Sequence, residues 1–509
     1  MNPILIPELD ETALIVALEA EAQYDRTWLP PEPWWDALLS SKSDLASAIH
    51  RRLTRGGKWD RSATVDVRKP GHGIRPVSVM SPEVRIVYRA IASALVQPEN
   101  RPDRSAKKYA DFVLEPVWGG NRNRTAPFLN LLDTRYSHVV ITDIVAYYQY
   151  IDHALLRDEL DLGGGHIGMI DALVELLADI EGRSFGLPQR SAPSDWLSDR
   201  YAARIDRWMT RDGFDVWRYN DDFRVGCTSY AEALRAIESL SRAARELGLV
   251  LNDQKTAAPT FATYLNHNVN VEIHDASAQI DPSDVEAAIS TDYAPEDDEQ
   301  ALAEAVQTLE QLWDPETDGQ PMPNARWDLR NLSADQHRAV RRALNTLTRQ
   351  GHDHALPRLL SILAYQPAMT HRVVRYAEAL ARHRPEDIGR FIELAIGRLS
   401  LNEWQRAWLA FGARACSVEL DEDRPLASWL QTQMGARPNS IVAAEAAVTL
   451  AESSRVTFEV LERHLRDVSP DFGPWYLHAV AVLNRNGAVN PQQLGALRHS
   501  SAVAAAILS

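Results

Sequence analysis

Between two short apolar runs, Phe214-Asp215-Val216-Trp217 and Phe223-Arg224-Val225-Gly226-Cys227, the chain reads Tyr219-Asn220-Asp221-Asp222. The flanks have strand character and the residues between them favour a turn, so the segment predicts a hairpin with two adjacent carboxylates at its tip. Adjacent aspartates repel each other and cannot be buried as they stand; a divalent metal is the usual neutraliser. Asn220 also has a backbone reason to be there. A two-residue hairpin loop of the primed type needs φ > 0, which Asn tolerates better than β-branched residues do.

Three further pieces accompany the hairpin. Upstream, His138-Val139-Val140-Ile141-Thr142 is a β-branched strand that ends on Asp143 and continues into Ile144, Val145, Ala146, Tyr147 and Tyr148. Next, Gly186-Leu187-Pro188-Gln189 is a turn that runs through Ser194-Asp195-Trp196-Leu197-Ser198-Asp199 into a helical stretch ending near Met209. After the aspartate pair come Gly248-Leu249-Val250-Leu251-Asn252, Lys255 and Thr256. In order and spacing the four pieces resemble motifs A, B, C and D of reverse transcriptases, over roughly residues 50 to 270.

The resemblance implies an α+β fold with the fingers and palm of a right-hand polymerase, and a chemistry that explains these residue types. Joining a 3′ hydroxyl to a nucleotide α-phosphate uses two metal ions about 3.5–4 Å apart. Magnesium, with manganese as the alternative, prefers carboxylate and phosphate oxygens. Asp143 and Asp221 are the expected bridging ligands, the Ile144 carbonyl an extra ligand, and Asp222 their support. By the same resemblance Tyr148 sits under the incoming sugar and rejects a 2′ hydroxyl. Gln189 lies near the incoming nucleotide, with an amide able to donate to a phosphate or 3′ oxygen. The family commonly has Gly after that Gln, where this chain has Arg190.

Lysine usage singles out one more position. The chain has six lysines among its 54 basic residues, and Lys255 is the one beyond Lys108. Arginine stays protonated, whereas a lysine can exchange its proton when its surroundings lower its pKa. Lys255 is therefore a candidate to protonate the pyrophosphate leaving group.

Overall the chain is acidic, with 54 basic against 70 acidic side chains and a net charge of −16, which argues against nonspecific coating of duplex DNA. From Arg51 to Arg124, however, 16 Lys and Arg face 7 Asp and Glu. Within that stretch, Gly73-Ile74-Arg75-Pro76-Val77-Ser78-Val79 and Arg85-Ile86-Val87-Tyr88-Arg89 resemble the fingers segment, which makes Arg75 and Arg85 the expected triphosphate contacts.

The 509 residues suffice for two to four domains. The reading is a lead-in over residues 1–40, fingers and palm over 41–280, a linker with first helices over 281–330, and an all-helical domain over 331–509, with HEAT-like stacking as the guess for its packing. Acidic Thr291–Glu299 and the Pro- and Gly-rich stretch Pro315–Asn324 read as linkers or surface loops. Runs such as 336–349, 354–365, 369–382, 388–399, 403–415 and 441–453 have apolar residues at helical spacing. From Asp281 onward 22 basic residues stand against 31 acidic ones, a poor balance for generic nucleic-acid binding. Two cysteines, Cys227 and Cys416, give neither a disulfide framework nor a zinc cluster. The acidic amino terminus and the lack of a long apolar run lead to the expectation of a cytoplasmic protein with no membrane partner.

A palm with a helical extension and no recognisable RNase H resembles the bacterial abortive-infection and defence-associated reverse transcriptases. That resemblance implies an RNA-directed or template-independent DNA polymerase of antiphage defence, using dNTPs. It also brings a protein hydroxyl as primer with the DNA product left attached, a noncoding RNA or RNA template, and homo-oligomers as expected features of the group. Tyr24, Tyr264, Tyr293 and Tyr365 are candidate primers. Two other readings stand beside it: a templated enzyme of a mobile or diversity-generating element, and an inactive polymerase-fold scaffold.

Overall fold

The computed structural model describes residues 9–24, 28–70, 73–120, 134–268, 298–313, 327–419 and 424–509. Of the expected loops 291–299 and 315–324, residues 291–297, with Tyr293, and 315–324 lie outside the described residues, while Asp298 and Glu299 open the helix Asp298–Glu310. The chain forms two compact units, Leu9–Val87 with Glu296–Ser509, and Tyr88–Pro295. This division differs from the sequence-based one. The first helices and the fingers hairpin group with the helical extension, not with the palm. That hairpin pairs β1 (Ala63–Arg68) with β2 (Ile74–Val79) in antiparallel register, Ala63 opposite Val79 and Arg68 opposite Ile74. Val65, Val67, Val77 and Val79 alternate onto its buried face.

The second unit is built on a three-stranded antiparallel sheet of β3 (His138–Asp143), β4 (Asp215–Tyr219) and β5 (Asp222–Cys227), with β5 in the centre. Strand alternation sorts the residues onto two faces. Val139, Ile141 and Asp143 of β3 lie opposite Gly226, Arg224 and Asp222 of β5, which in turn face Trp217 and Tyr219 of β4. This face meets a core that includes Phe112, Val113, Leu114 and Val117 from the helix Ala106–Gly120, and Phe261, Tyr264 and Leu265 from the helix Phe261–Asn268. The other face carries Val140, Phe223 and Val225, all fully buried. Gly226 is required where it stands. A Cβ there would come within 2.6 Å of the Tyr136 ring.

The helix α1 (Ala192–Arg211) packs on β4, and its Asp199 and Asp206 accept hydrogen bonds from Arg218 of that strand. With both carboxylates beside it, the Arg218 guanidinium is held above its ordinary pKa despite its burial.

From Ala334 on, the described residues of the first unit are helical apart from their connecting turns, as the apolar spacing predicts. α2 (Ala334–Gln350) starts on a Ser333–Gln336 capping box and stops at Gly351, whose φ of 62° suits a glycine. α3 (Thr370–Ala381) and α4 (Glu403–Gly412) follow, and α2, α3, α4, Ile441–Glu452 and Gly473–Arg485 pack each on the next. A second row, including Leu359–Tyr365, Pro385–Arg398 and Pro425–Ala436, packs in the same succession. Alternating helices stacked in two rows are the arrangement of an α-solenoid. The helices at 425–436, 458–467, 473–485 and 491–498 were not singled out from the sequence. Pro385, Pro425 and Pro491 open helices at their first turn, where a missing N–H costs nothing.

The amino-terminal segment joins this stack. The Trp28 carbonyl accepts from the indole Nε1 of Trp404 at 2.5 Å and of Trp408 at 3.1 Å, and the Trp34 ring lies 4.2 Å from that of Trp475. Asp471, between two late helices, accepts from the backbone N–H of Ala63 at 2.8 Å and of Ser81 at 2.9 Å, so one buried carboxylate ties both ends of the β1–β2 hairpin.

Arg85 takes a different place from the one expected of it. Its side chain is 2% exposed, bonded to Glu21 at 2.8 Å and to Glu32, with the Trp35 ring 4.6 Å away. Two carboxylates and an indole occupy the guanidinium, so it neutralises buried acids and is not placed to contact a triphosphate. Arg85→Met should strand Glu21 and Glu32 and cost about 3–5 kcal/mol. Arg85→Met with Glu21→Gln and Glu32→Gln should recover much of that, as read by urea unfolding. Equal loss in the single and triple variants would show that packing, not charge, matters there.

Candidate active site

The strand register brings the sequence-predicted carboxylates together. Asp143, last residue of β3, stands directly opposite Asp222, first residue of β5, and paired residues point to the same face. Asp221 occupies the turn between β4 and β5, and its carbonyl accepts from the Ile144 N–H at 3.1 Å, which ties the end of β3 to the hairpin tip. Asn220 has φ of 59°, the positive value expected of this turn, and Asp221 does not share it.

Burial of these carboxylates is costly. Asp143 is 7% exposed, and its Oδ1 is buried with no hydrogen-bond partner among the described residues. Its Oδ2 accepts from Lys255 Nζ at 2.5 Å. Burial pushes the Asp222 carboxyl up to about 6, with the Asp221 and Asp143 charges adding to the rise and Arg224 and Lys255 opposing it. Asp221 is raised as well, by burial first and by the Asp143 charge. The Lys255 ammonium is held above its ordinary pKa, chiefly by its hydrogen bond to Asp143. The surroundings therefore keep this lysine protonated; they do not lower its pKa.

A divalent cation suits this donor set. Three mutually repelling carboxylates and an orphaned buried oxygen are what a hard cation would relieve. As the side chains stand, no group of three His, Cys, Asp or Glu residues is gathered closely enough to hold an ion among the described residues. Lys255 already occupies one oxygen of Asp143, so an ion would compete with it.

Around the carboxylates lies a polar network that the sequence reading did not foresee. The Tyr148 hydroxyl donates to Asp195 Oδ1 at 2.6 Å and lies 3.0 Å from Asn220 Oδ1. Asn220 Oδ1 also accepts from Arg104 at 3.1 Å, while its Nδ2 donates to Asp221 Oδ1 at 2.9 Å. A continuous chain of contacts thus runs from Asp195 on α1 through Tyr148 and Asn220 to Asp221. Burial, and then the Asp195 charge, drive the Tyr148 phenol well above its ordinary pKa, so it stays a neutral donor. The spacing of Asp195 and Asp199, four apart on a helix, was the available signal, since it puts two acids on one face.

Gln189 is half-buried in the turn that leads into α1. Arg190 has φ of 62°, which accounts for glycine being common at that position in the family, and its charge acts on Asp195. Arg75 lies on β2 in the other unit, 5.3 Å from the Trp28 ring.

Residues 67–269 match the model of the reverse transcriptase (RNA-dependent DNA polymerase) family. The match takes in every metal- and nucleotide-site candidate named above, and leaves the helical extension and the candidate primers Tyr24, Tyr293 and Tyr365 outside. The described residues accordingly carry a reverse-transcriptase fold followed by many helices. No curated protein matches the chain. Among solved structures it is similar to telomerase from Candida albicans in complex with a TWJ fragment of telomeric RNA, at 10% identity and a TM-score of 0.31, covering 68% of this chain and 65% of that one. Apo telomerase from Candida tropicalis gives 11% identity and a TM-score of 0.31, over 89% and 69% of the two chains. The chain spans less than two thirds of the Candida albicans telomerase, and likeness at this level carries no inference about it. Among the described residues no helix is long and apolar enough to cross a membrane.

If the carboxylates hold an ion, Lys255→Met should tighten manganese binding a few-fold, on the order of 1 kcal/mol or less for so exposed a lysine. Asp222 is raised to about 6, so wild-type affinity should fall as the pH drops through that value and a proton competes for the carboxylate. Paramagnetic resonance titration reads both. An affinity that stays flat from about pH 7 to about pH 5 would count against these ligands.

Proposed function

We propose that the chain is a DNA polymerase of the reverse-transcriptase type, transferring dNTPs to a 3′ hydroxyl at Asp143, Asp221 and Asp222. The register that sets Asp143 opposite Asp222, with Asp221 in the adjoining turn, is the observation that carries this reading. Two bound magnesium ions would activate the hydroxyl and hold the triphosphate. Asp143 and Asp221 are their proposed carboxylate ligands, with Asp222 and the Ile144 carbonyl in support.

In the reaction the 3′ hydroxyl loses its proton to solvent, its oxygen forms a bond to the α-phosphorus and the bond to pyrophosphate breaks. Lys255, kept protonated, gives the departing pyrophosphate its proton and is near enough to Asp143 to act there. Asn220 orients the Asp221 carboxylate through its amide. The Tyr148 ring, fixed through its hydroxyl by Asp195, is the proposed wall against a 2′ hydroxyl. Gln189 is the proposed nucleotide contact and Arg75 the proposed triphosphate contact, both on the family resemblance alone.

The finer reading is synthesis in antiphage defence, started on a protein hydroxyl and without an obligatory template. Its support is the resemblance of a palm extended by stacked helices to the defence-associated enzymes. Of the candidate primers, Tyr264 is unsuited: it is fully buried, its hydroxyl donates to the Val113 carbonyl, and burial raises it to about 12.

The test is incubation of purified protein with magnesium and labelled dNTPs, without and with an RNA template and primer. Wild type should incorporate label, and Asp143→Asn or Asp221→Asn should lose about a thousandfold or more, the scale expected when a two-metal ligand is removed. Label released from protein by nuclease, without added nucleic acid, supports protein priming. Extension only with template and primer would support a templated enzyme. Absence of incorporation under both conditions would overturn the polymerase reading.

A further inference from the structure

Arg104 stands outside the four motifs, yet it bonds the residue on which the Asp221 carboxylate depends. It comes just before the helix Ala106–Gly120, where the Asp103 carboxylate accepts from the Ser105 N–H at 2.8 Å and the Ser105 carbonyl accepts from the Tyr219 hydroxyl at 3.4 Å. Its guanidinium lies 5.3 Å from the Tyr219 ring, with Asp195 and Asp199 around it. The shortest hydrogen bond of this cation nevertheless goes to a neutral amide, from Nη2 to Asn220 Oδ1 at 3.1 Å. Asp199 Oδ1 is 3.5 Å away and already accepts from Arg218 at 2.8 Å. Arg218 also donates to the Asn220 carbonyl at 3.2 Å, so one arginine holds the Asn220 backbone and the other its side chain.

The chemistry of the neighbours fixes which way the Asn220 amide points. A guanidinium only donates and an ionised carboxylate only accepts, so an amide between Arg104 and Asp221 has one compatible orientation, oxygen to the arginine and nitrogen to the aspartate. Tyr148 does not decide it, because its single proton goes to Asp195 and its oxygen could equally accept from an amide N–H. A charged donor on the carbonyl oxygen polarises the amide and strengthens its N–H. Asn220 Nδ2 donates to Asp221 Oδ1 at 2.9 Å, and apart from the aspartate's own backbone N–H nothing else donates to that carboxylate among the described residues. The charges that act on Asp221 are those of Asp143 and Lys255, whereas the Arg104 charge acts on Tyr148 and Asp195. Arg104 therefore reaches Asp221 through the amide and not by direct attraction. A cation seated on Asp221 itself would compete with a metal ion, as Lys255 does at Asp143; a relay through a neutral amide steadies the carboxylate and leaves lone pairs for the ion.

We propose that Arg104 is a positioning residue, which through the Asn220 amide holds the Asp221 carboxylate in place as a metal ligand. The inference rests on the polymerase reading for what the ion does there, but it can be tested without synthesis. Manganese would be titrated into the full chain and followed by paramagnetic resonance. Arg104→Met should weaken binding about tenfold, the scale expected when a group that orients a metal ligand is lost. A role confined to charge gives the opposite sign, since removing a cation beside acids tightens the binding of another cation. Asn220→Ala should weaken binding by a similar factor, and in that background Arg104→Met should change it by less than about twofold. Arg104→Lys should stay within about threefold of wild type, because the bond to Asn220 is single and a lysine can make it. Arg104→Gln, which removes the charge and keeps much of the volume, replaces the methionine variant in the same cycle if that one does not fold. Additive losses in the cycle, or tighter binding in Arg104→Met, would overturn the proposal. A wild type that incorporates labelled dNTPs while Arg104→Met binds manganese unchanged would remove the relay and keep the polymerase. Weakened manganese binding in Arg104→Met, beside a wild type that incorporates nothing, would do the reverse.

Discussion

Repulsion among Asp143, Asp221 and Asp222 is the constraint to which the palm is fitted. The side-chain period of a strand is two, so a slip of one residue between β3 and β5 would carry Asp143 to the opposite face and dissolve the site. Both faces of the sheet guard against that slip. Val140, Phe223 and Val225 are fully buried on one side, and on the other the Tyr136 ring fills the space that a side chain on Gly226 would need. Apolar packing of this kind is indifferent to charge, which lets it hold carboxylates in a place their own electrostatics oppose.

A second layer converts position into orientation. Asn220 accepts with one end of its amide and donates with the other, so Arg104 and Tyr148 on one side are coupled to Asp221 on the other. An aspartate at position 220 could not do this, because an ionised carboxylate has no donor and would add a further negative charge. Arg218 plays the complementary part on the opposite face, where Asp199 and Asp206 clamp it to α1. The helix that carries Asp195 is thereby fixed to the strand that leads into Asn220. This arrangement makes the Tyr148 ring and the Asp221 carboxylate parts of one polar lattice, and a shift at either would be felt at the other.

The sequence made some of this legible and hid the rest for identifiable reasons. Asp143, Asp221 and Asp222 could be found because each sits at the end of an apolar run, where strand alternation stops and a charge needs a purpose. The positive φ at Asn220 was legible from turn chemistry, whereas that at Arg190 showed only as a departure from a common glycine. Arg85 could not be placed from the sequence. Its partners Glu21 and Glu32 are 64 and 53 residues away, so a buried ion pair read as part of a basic surface run. The grouping of residues 9–87 with the helical extension escaped for the same reason, since Asp471 lies 408 residues from Ala63 and 390 from Ser81. Long-range polar contacts leave no periodic trace in the sequence. Helices do, and most of the stack was readable from apolar spacing alone.

Net charge counted along a chain is a coarse measure of its surface for a related reason. Residues 281–330 hold 14 of the 31 acidic side chains from Asp281 onward and 2 of the 22 basic ones, which leaves 20 basic against 17 acidic over residues 331–509, while an ion responds only to the local potential within a Debye length of about 10 Å at moderate salt. On α2, Arg338, Arg342 and Arg349 follow at intervals of four and seven, which in a helix is one side, so a near-balanced total conceals how the charges are distributed.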